Sequence, residues 1–164
     1  MDLIESSEID ILRRAILDYG KVPQKIKAIE EMAELIQALS IGSPNMIAEE
    51  MADVSIMLTQ LKMIYNNAEE VEGYRTDRMK KPARKIKPIE ELSKLIQVIA
   101  KGNDLCIIAE KMADAHFMLE HLKVIYRNVK KVEGYRRYKL ERLNRRLFNP
   151  EMQLEGEKRS GTRE

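Results

Sequence analysis

Two short groups of acidic residues interrupt stretches of this sequence that are otherwise apolar. The segment AIEEMAELIQAL contains Glu31 and Glu34, and the segment AEEMAD contains Glu50 and Asp53. The members of each pair are three residues apart, so their carboxylates share one face of a helix. If the two helices are neighbours, four carboxylates converge and repel one another unless a cation lies between them. Their oxygen atoms favour Mg²⁺, with Mn²⁺ as a substitute.

The alternative is that these acids form an ordinary solvated helix surface, which is the usual place of a single glutamate. The residues beside them argue against it, since Leu35 follows Glu34 and Val54 follows Asp53. The acids therefore border the packed stripe, where a charged group is costly unless it is paired. A short turn at 42–44 predicts that the two helices are antiparallel neighbours.

An internal duplication indicates which elements position these acids. Residues 29–42 align with 89–102 at an offset of 60, and residues 47–75 align with 108–136 at an offset of 61. Each copy contains three segments with helical periodicity. We therefore expect an all-α fold in which tandem helical repeats pack as a pseudo-twofold helix bundle.

The duplication divides the chain into three parts. Residues 1–81 form the first repeat, which holds the complete acidic motif, and residues 82–150 form the second repeat. Residues 151–164 are polar, and we expect them to be disordered. An additional helix from about Ser7 to Tyr19 precedes the first repeat and has no counterpart in the second.

Start and stop signals predict the helix boundaries. Gly42 is expected to end the first helix of repeat one, and Pro44 suits the first turn of the second. Asn67, with Glu70 three residues later, is predicted to cap the third helix, which Pro82 then ends. In repeat two the corresponding helix continues to about residue 147.

The second repeat carries lysines, Lys94 and Lys111, where two of the four acids stand in the first. An ammonium group has no lone pair for Mg²⁺ at neutral pH and repels a divalent cation. Their spacing suits helical ion pairs with Glu91 and Asp114 instead. We therefore predict one metal site for each chain, in the first repeat.

The complete acidic motif reads Glu30-Glu31-x-x-Glu34, then Glu50-x-x-Asp53. With the flanking segments QLKMIY and KLERLNRRL, it resembles the MazG-like all-α NTP pyrophosphatase superfamily. The resemblance implies Mg²⁺-dependent hydrolysis of nucleoside or deoxynucleoside triphosphates to a monophosphate and pyrophosphate. It implies that the last four of these acids bind the metal, and that Glu30 is a candidate catalytic residue that orients or deprotonates the attacking water.

The resemblance also implies that cations on the closing helix of repeat two, Lys139 and Arg142, contact substrate phosphates. Lys27, one turn before Glu31, is a further candidate for the same role. The alternative is a solvated basic face that binds no ligand. Nothing in the sequence indicates which base or sugar is preferred.

Two other function classes remain open. One is a non-catalytic protein that binds or sequesters nucleotides on the same scaffold, because the second repeat has already lost its acids. The other is a helical nucleic-acid-binding protein that uses residues 136–146. A nucleic-acid partner is less favoured, since the net charge is only +2 and this reading leaves the acidic motif unexplained.

The remaining features favour a cytoplasmic protein without a membrane partner. No apolar run reaches the length of a membrane span, and the start of the chain lacks the cations of a signal peptide. The single cysteine, Cys106, is expected to be a small buried residue. His116 and His121 lack a metal-binding spacing, so packing or surface roles are expected. The chain is expected to be a monomeric pseudo-dimer or to form a homodimer.

Overall fold

The computed structural model describes residues 3–80 and 87–148, with side chains from Glu8 onward. Within these residues the chain is helical and contains no strand, which confirms the all-α fold class. None of the described helices combines the length and hydrophobicity that a membrane crossing requires. The helices are α1 Leu3–Tyr19, α2 Lys21–Ile41, α3 Pro44–Tyr65, α4 Ala68–Lys80, α5 Pro88–Lys101, α6 Leu105–Ile125 and α7 Val129–Phe148.

The turn between α2 and α3 follows the signals in the sequence. Gly42 adopts a left-handed conformation with φ 78° and donates its backbone N–H to the carbonyl of Ala38. Glycine adopts this conformation without the steric cost of a Cβ atom. Pro44 is the first residue of α3, where its missing N–H leaves no helical hydrogen bond unmade. Both predicted boundaries are confirmed, and the two helices lie side by side.

The prediction that the Asn67 side chain caps α4 is wrong. Helix α4 does begin at Ala68, and the Asn67 carbonyl accepts the N–H of Val71. However, Asn67 is buried, its Oδ1 makes no hydrogen bond, and its Nδ2 lies 3.8 Å from the sulfur of Met112 on α6. Packing between distant parts of the chain therefore overrides the local cap. Pro82 and the tail after residue 148 lie outside the described residues.

A continuous apolar core joins α2 through α7. Its largest fully buried side chains include Leu35 from α2, Leu58 from α3, Leu95 from α5 and Met112 from α6. Helix α1 packs at the side of this core, where Leu12 contacts Ile56 and Leu140. Both halves of the sequence therefore contribute to one interior.

The closing helices cross between the halves of the sequence. Helix α4 packs against α6, and α7 packs against α3. Each closing helix thus lies on the middle helix of the other half. This arrangement brings the basic residues of α7 to the acidic residues of α2 and α3, although about 90 residues of sequence separate them.

Candidate functional site

Three of the four predicted metal ligands form a close group. Carboxylate oxygens of Glu31 on α2 and of Glu50 and Asp53 on α3 all lie within 4.8 Å of one another. Glu31 is buried, and the two residues from α3 are half-buried. In the parts of the chain that the structure describes, no other set of acidic, histidine or cysteine side chains converges in this way.

Burial and mutual repulsion raise the pKa values of the three carboxylates. Burial, together with the charges of Asp53 and Glu34, raises the pKa of Glu50 to about 7. Burial also raises the pKa of Glu31 and of Asp53, although a neighbouring lysine opposes the rise in each case. The Oε2 atom of Glu50 is buried and has no hydrogen-bond partner. An oxygen-lined site of this kind fits a divalent cation.

Two lysines, one on α2 and one on α7, partly neutralise the group. Lys27 Nζ lies 2.8 Å from Glu31 and 3.3 Å from Glu30, and its hydrogen bond to Glu31 raises the lysine pKa. Lys139, from α7, forms an ion pair with Asp53 and lies 3.5 Å from Glu49. Burial alone would lower the pKa of Lys139, but the attraction of Asp53 and the nearby glutamates outweighs it and raises the pKa.

These residues line a pocket of about 470 Å³ between α1, α2, α3 and α7. Its charged lining residues are the carboxylates on α2 and α3, with Lys27 on α2 and Lys139, Arg142 and Arg146 on α7. Its uncharged lining residues are Ala15, Tyr19, Gln24, Ile56, Met57, Gln60 and Leu143.

The structure places seven of the eight predicted site residues in this pocket. They are Lys27, Glu31, Glu34, Glu50, Asp53, Lys139 and Arg142. Glu34 is exposed and lies outside the close group of three. Glu30 does not line the pocket, and its exposed carboxylate faces Lys27.

Several pocket residues were not predicted from the sequence. Glu49 stands next to Glu50 in the acidic segment, so its position gave a usable signal. Gln60 and Tyr19 gave none, because an isolated amide or tyrosine on a helix is common without any ligand. Their place in the pocket follows only from the packing of α1 against α3 and α7.

The corresponding acids of the second half are paired with cations of the protein. Lys94 lies 3.1 Å from Glu91, and Lys111 lies 3.3 Å from Asp114, as the spacing predicted. Arg78 from α4 adds an ion pair to Asp114, whose side chain is almost fully buried. These acids are therefore neutralised by cations of the protein itself.

The histidines and the cysteine lie away from this pocket. His116 Nε2 is buried without a hydrogen-bond partner, and burial, with the charges of Lys62 and Arg75, lowers the pKa of His116 to about 3. The Nδ1 atom of His121 is within 2.8 Å of the carbonyl of Phe117 on the same helix. Cys106 is exposed in the first turn of α6, so its predicted burial is wrong.

Comparisons with models of known protein families, with curated proteins and with solved structures find no match to this chain. The likeness to MazG-like pyrophosphatases therefore depends on the motifs of the sequence, and the function inferred from it is a proposal.

Proposed function

We propose that this protein hydrolyses nucleoside or deoxynucleoside triphosphates to a monophosphate and pyrophosphate with the help of Mg²⁺. One observation supports the proposal above all. Carboxylates from two helices converge within 4.8 Å in a pocket whose adjoining helix carries Lys139, Arg142 and Arg146. Such a pocket combines ligands for a hard cation with cations for phosphate oxygens, and a triphosphate bound to Mg²⁺ needs both.

The donor set fits Mg²⁺ or Mn²⁺. Glu31, Glu50 and Asp53 supply only oxygen atoms, and the buried Oε2 of Glu50 has no other partner. Glu34 lines the same pocket and would complete the set of four. Bound there, the ion would polarise the phosphate under attack and offset negative charge on the departing pyrophosphate.

The other residues of the pocket would bind and orient the substrate. Lys139 and Arg142 would hold phosphate oxygens, and Lys27 would assist from α2. Lys139 pairs with Asp53; a cation bound at the acids would compete for Asp53 and would leave the lysine free to contact a phosphate. Glu30, the candidate for orienting the attacking water, would act from beside the pocket, where its carboxylate pairs with Lys27.

We further propose that residues 1–81 and 82–150 are duplicated halves related by a pseudo-twofold axis. Reciprocal contacts support this arrangement. At an offset of 61 residues, the Lys139–Asp53 pair corresponds to Arg78–Asp114. The contact of Asn128 with the sulfur of Met51 corresponds in the same way to that of Asn67 with Met112, and both are 3.8 Å long.

Under this proposal one chain is a pseudo-dimer in which the halves have different tasks. The first half supplies the acids, and the closing helix of the second half supplies cations to them. In the second half, Lys94 and Lys111 occupy the acidic cluster and exclude a metal ion. A cytoplasmic location would suit such an enzyme, because its nucleotide substrates are found there.

The test is a panel of ribo- and deoxynucleoside triphosphates with Mg²⁺ or Mn²⁺, with products identified by chromatography. We expect a nucleoside monophosphate and pyrophosphate in equal amounts. Glu31→Gln should remove this activity, whereas Glu91→Gln, the matched change in the second half, should leave it intact. Release of phosphate and a diphosphate would contradict the proposed reaction.

Two other results would point to the alternative functions. Tight nucleotide binding without turnover would identify a sequestering protein. Binding to nucleic acid that weakens steeply with salt and does not depend on Glu31 would identify a nucleic-acid-binding protein.

A further inference from the structure

Gln60 is a buried amide among the uncharged residues that line the pocket. It lies seven residues after Asp53 on α3, which places it roughly 10 Å farther along the helix axis. The residue is 2% exposed, it lines the pocket, and its Oε1 atom is buried without a hydrogen-bond partner. Buried amides are normally hydrogen-bonded, so this one calls for an explanation.

The surroundings of Gln60 suit a flat apolar group with a polar edge. Ile56 and Met57 precede it by one turn of α3, and both are buried. Tyr19 from α1 and Leu143 from α7 complete this part of the wall. The pocket therefore combines carboxylates and cations with apolar side chains and the amides of Gln24 and Gln60. A phosphate ester of an aromatic heterocycle likewise combines charged and apolar groups.

In the second half of the chain, the side chain that corresponds to Gln60 has a hydrogen-bond partner. At an offset of 61 residues, Gln60 corresponds to His121, whose Nδ1 is 2.8 Å from the carbonyl of Phe117. That bond lies within one helix and needs no ligand. Helix α1, which contributes Tyr19 to the pocket, also has no counterpart there. Asn67, Asn103 and Asn128 also have a buried amide oxygen without a hydrogen-bond partner, but among the described residues of this kind Gln60 alone lines the pocket.

We propose that the Gln60 amide recognises the hydrogen-bonding edge of the nucleobase. This inference depends on the proposed function, since it assigns the base end of the same substrate. A carboxamide carries a donor and an acceptor side by side, so it can pair with a base edge that carries the complementary two groups. The base then packs against Tyr19 and Ile56, while the phosphates lie at the acids and at Lys139.

The test compares ligands with and without a base by calorimetry in Mg²⁺. The probes are non-hydrolysable α,β-imido deoxynucleotides carrying each of the common bases, and inorganic tripolyphosphate. Gln60→Met keeps the length of the side chain but removes both hydrogen-bonding groups. We expect it to weaken the preferred nucleotide roughly ten- to hundredfold and to leave tripolyphosphate binding unchanged. His121→Leu, the matched change in the second half, should alter neither affinity.

Each other outcome overturns a different statement. Unchanged nucleotide affinity in Gln60→Met shows that the amide does not read the base. Equal loss for nucleotide and tripolyphosphate shows a general packing defect, which a lowered melting temperature would also reveal. Wild-type protein that binds tripolyphosphate as tightly as any nucleotide refutes base recognition but retains the phosphate site. Wild-type protein that binds neither probe refutes the proposed function and this inference with it.

Discussion

Glu50 offers the sharpest test of the metal site, because in the metal-free protein its charge opposes folding. Its pKa is raised from 4.5 to about 7 by burial and by the charges of Asp53 and Glu34. The unfolded chain releases this proton near the ordinary pKa, whereas the folded chain retains it until about pH 7. The stability that the protonated group contributes is therefore lost as the pH rises from about 4.5 to about 7.

The magnitude of this effect follows from the shift. A rise of that size corresponds to about 3 kcal/mol above pH 7. Because Glu50 is only half-buried, screening by solvent reduces the value to about 1–2 kcal/mol. Glu50→Gln removes the charge, so it should stabilise the metal-free protein by this amount at about pH 8. In a domain of this size the melting temperature should rise by about 2–8 °C.

The assay is thermal unfolding at about pH 8 and about pH 4.5, with a chelator or with Mg²⁺. In chelator, Glu50→Gln should melt above the wild type at the higher pH and close to it at the lower. Mg²⁺ should raise the melting temperature of the wild type but not of the variant. Glu30→Gln is the control, since Glu30 is exposed outside the pocket and should change neither result.

Two results would refute this reasoning. A variant that is less stable than the wild type at about pH 8 would show that the Glu50 charge does not destabilise the metal-free protein. Equal stabilisation of both proteins by Mg²⁺ would show that the ion binds elsewhere.

Three further predictions concern the same pocket and the second half of the fold. Mg²⁺ affinity should fall as the pH drops below about 7, because binding must displace a proton from Glu50. Calorimetry in buffers of different ionisation enthalpy should detect the released proton. An affinity that does not change with pH would contradict this prediction. Lys139→Ala and Arg142→Ala should each raise KM for nucleotide about ten- to hundredfold in steady-state kinetics. An unchanged KM would show that the substituted residue does not bind the substrate. His116 resists protonation in the fold, with a pKa of about 3 against 6.5, so unfolding free energy should fall by at most about 1.4 kcal/mol for each pH unit below about 6.5. Urea unfolding of His116→Leu should show a weaker acid dependence, and an identical slope would contradict the buried neutral histidine.

The helices and most of their boundaries could be predicted from local sequence. Gly42 and Pro44 act through their own backbone properties, which need no partner elsewhere in the chain. Asn67 shows the limit of that approach. Local sequence allows this side chain either to cap α4 or to enter the core, and the contact with Met112 on α6 favours the core position. Cys106 shows the same limit, because apolar neighbours in sequence did not indicate which side of α6 faces solvent.

The candidate site was partly predictable for a related reason. Residues three apart on one helix share a face whatever the rest of the fold, so the acidic pairs could be recognised directly. The replacement of acids by Lys94 and Lys111 was equally visible in the sequence. Gln60 could not be found in this way, because its significance comes from burial and from an unsatisfied oxygen, which depend on the helices around it.

The sequence by itself determined the helical class, the two acidic pairs on adjacent helices, and the half of the chain that keeps them. Only the tertiary structure decided that α7 lies on α3, so that Lys139 reaches Asp53, and that α1 closes the pocket beside Gln60. The physical reason is that periodicity identifies the apolar face of a helix but not the helix that covers it. That choice depends on the fit of side chains distant in sequence, and here it brings the charges of one half to the acids of the other.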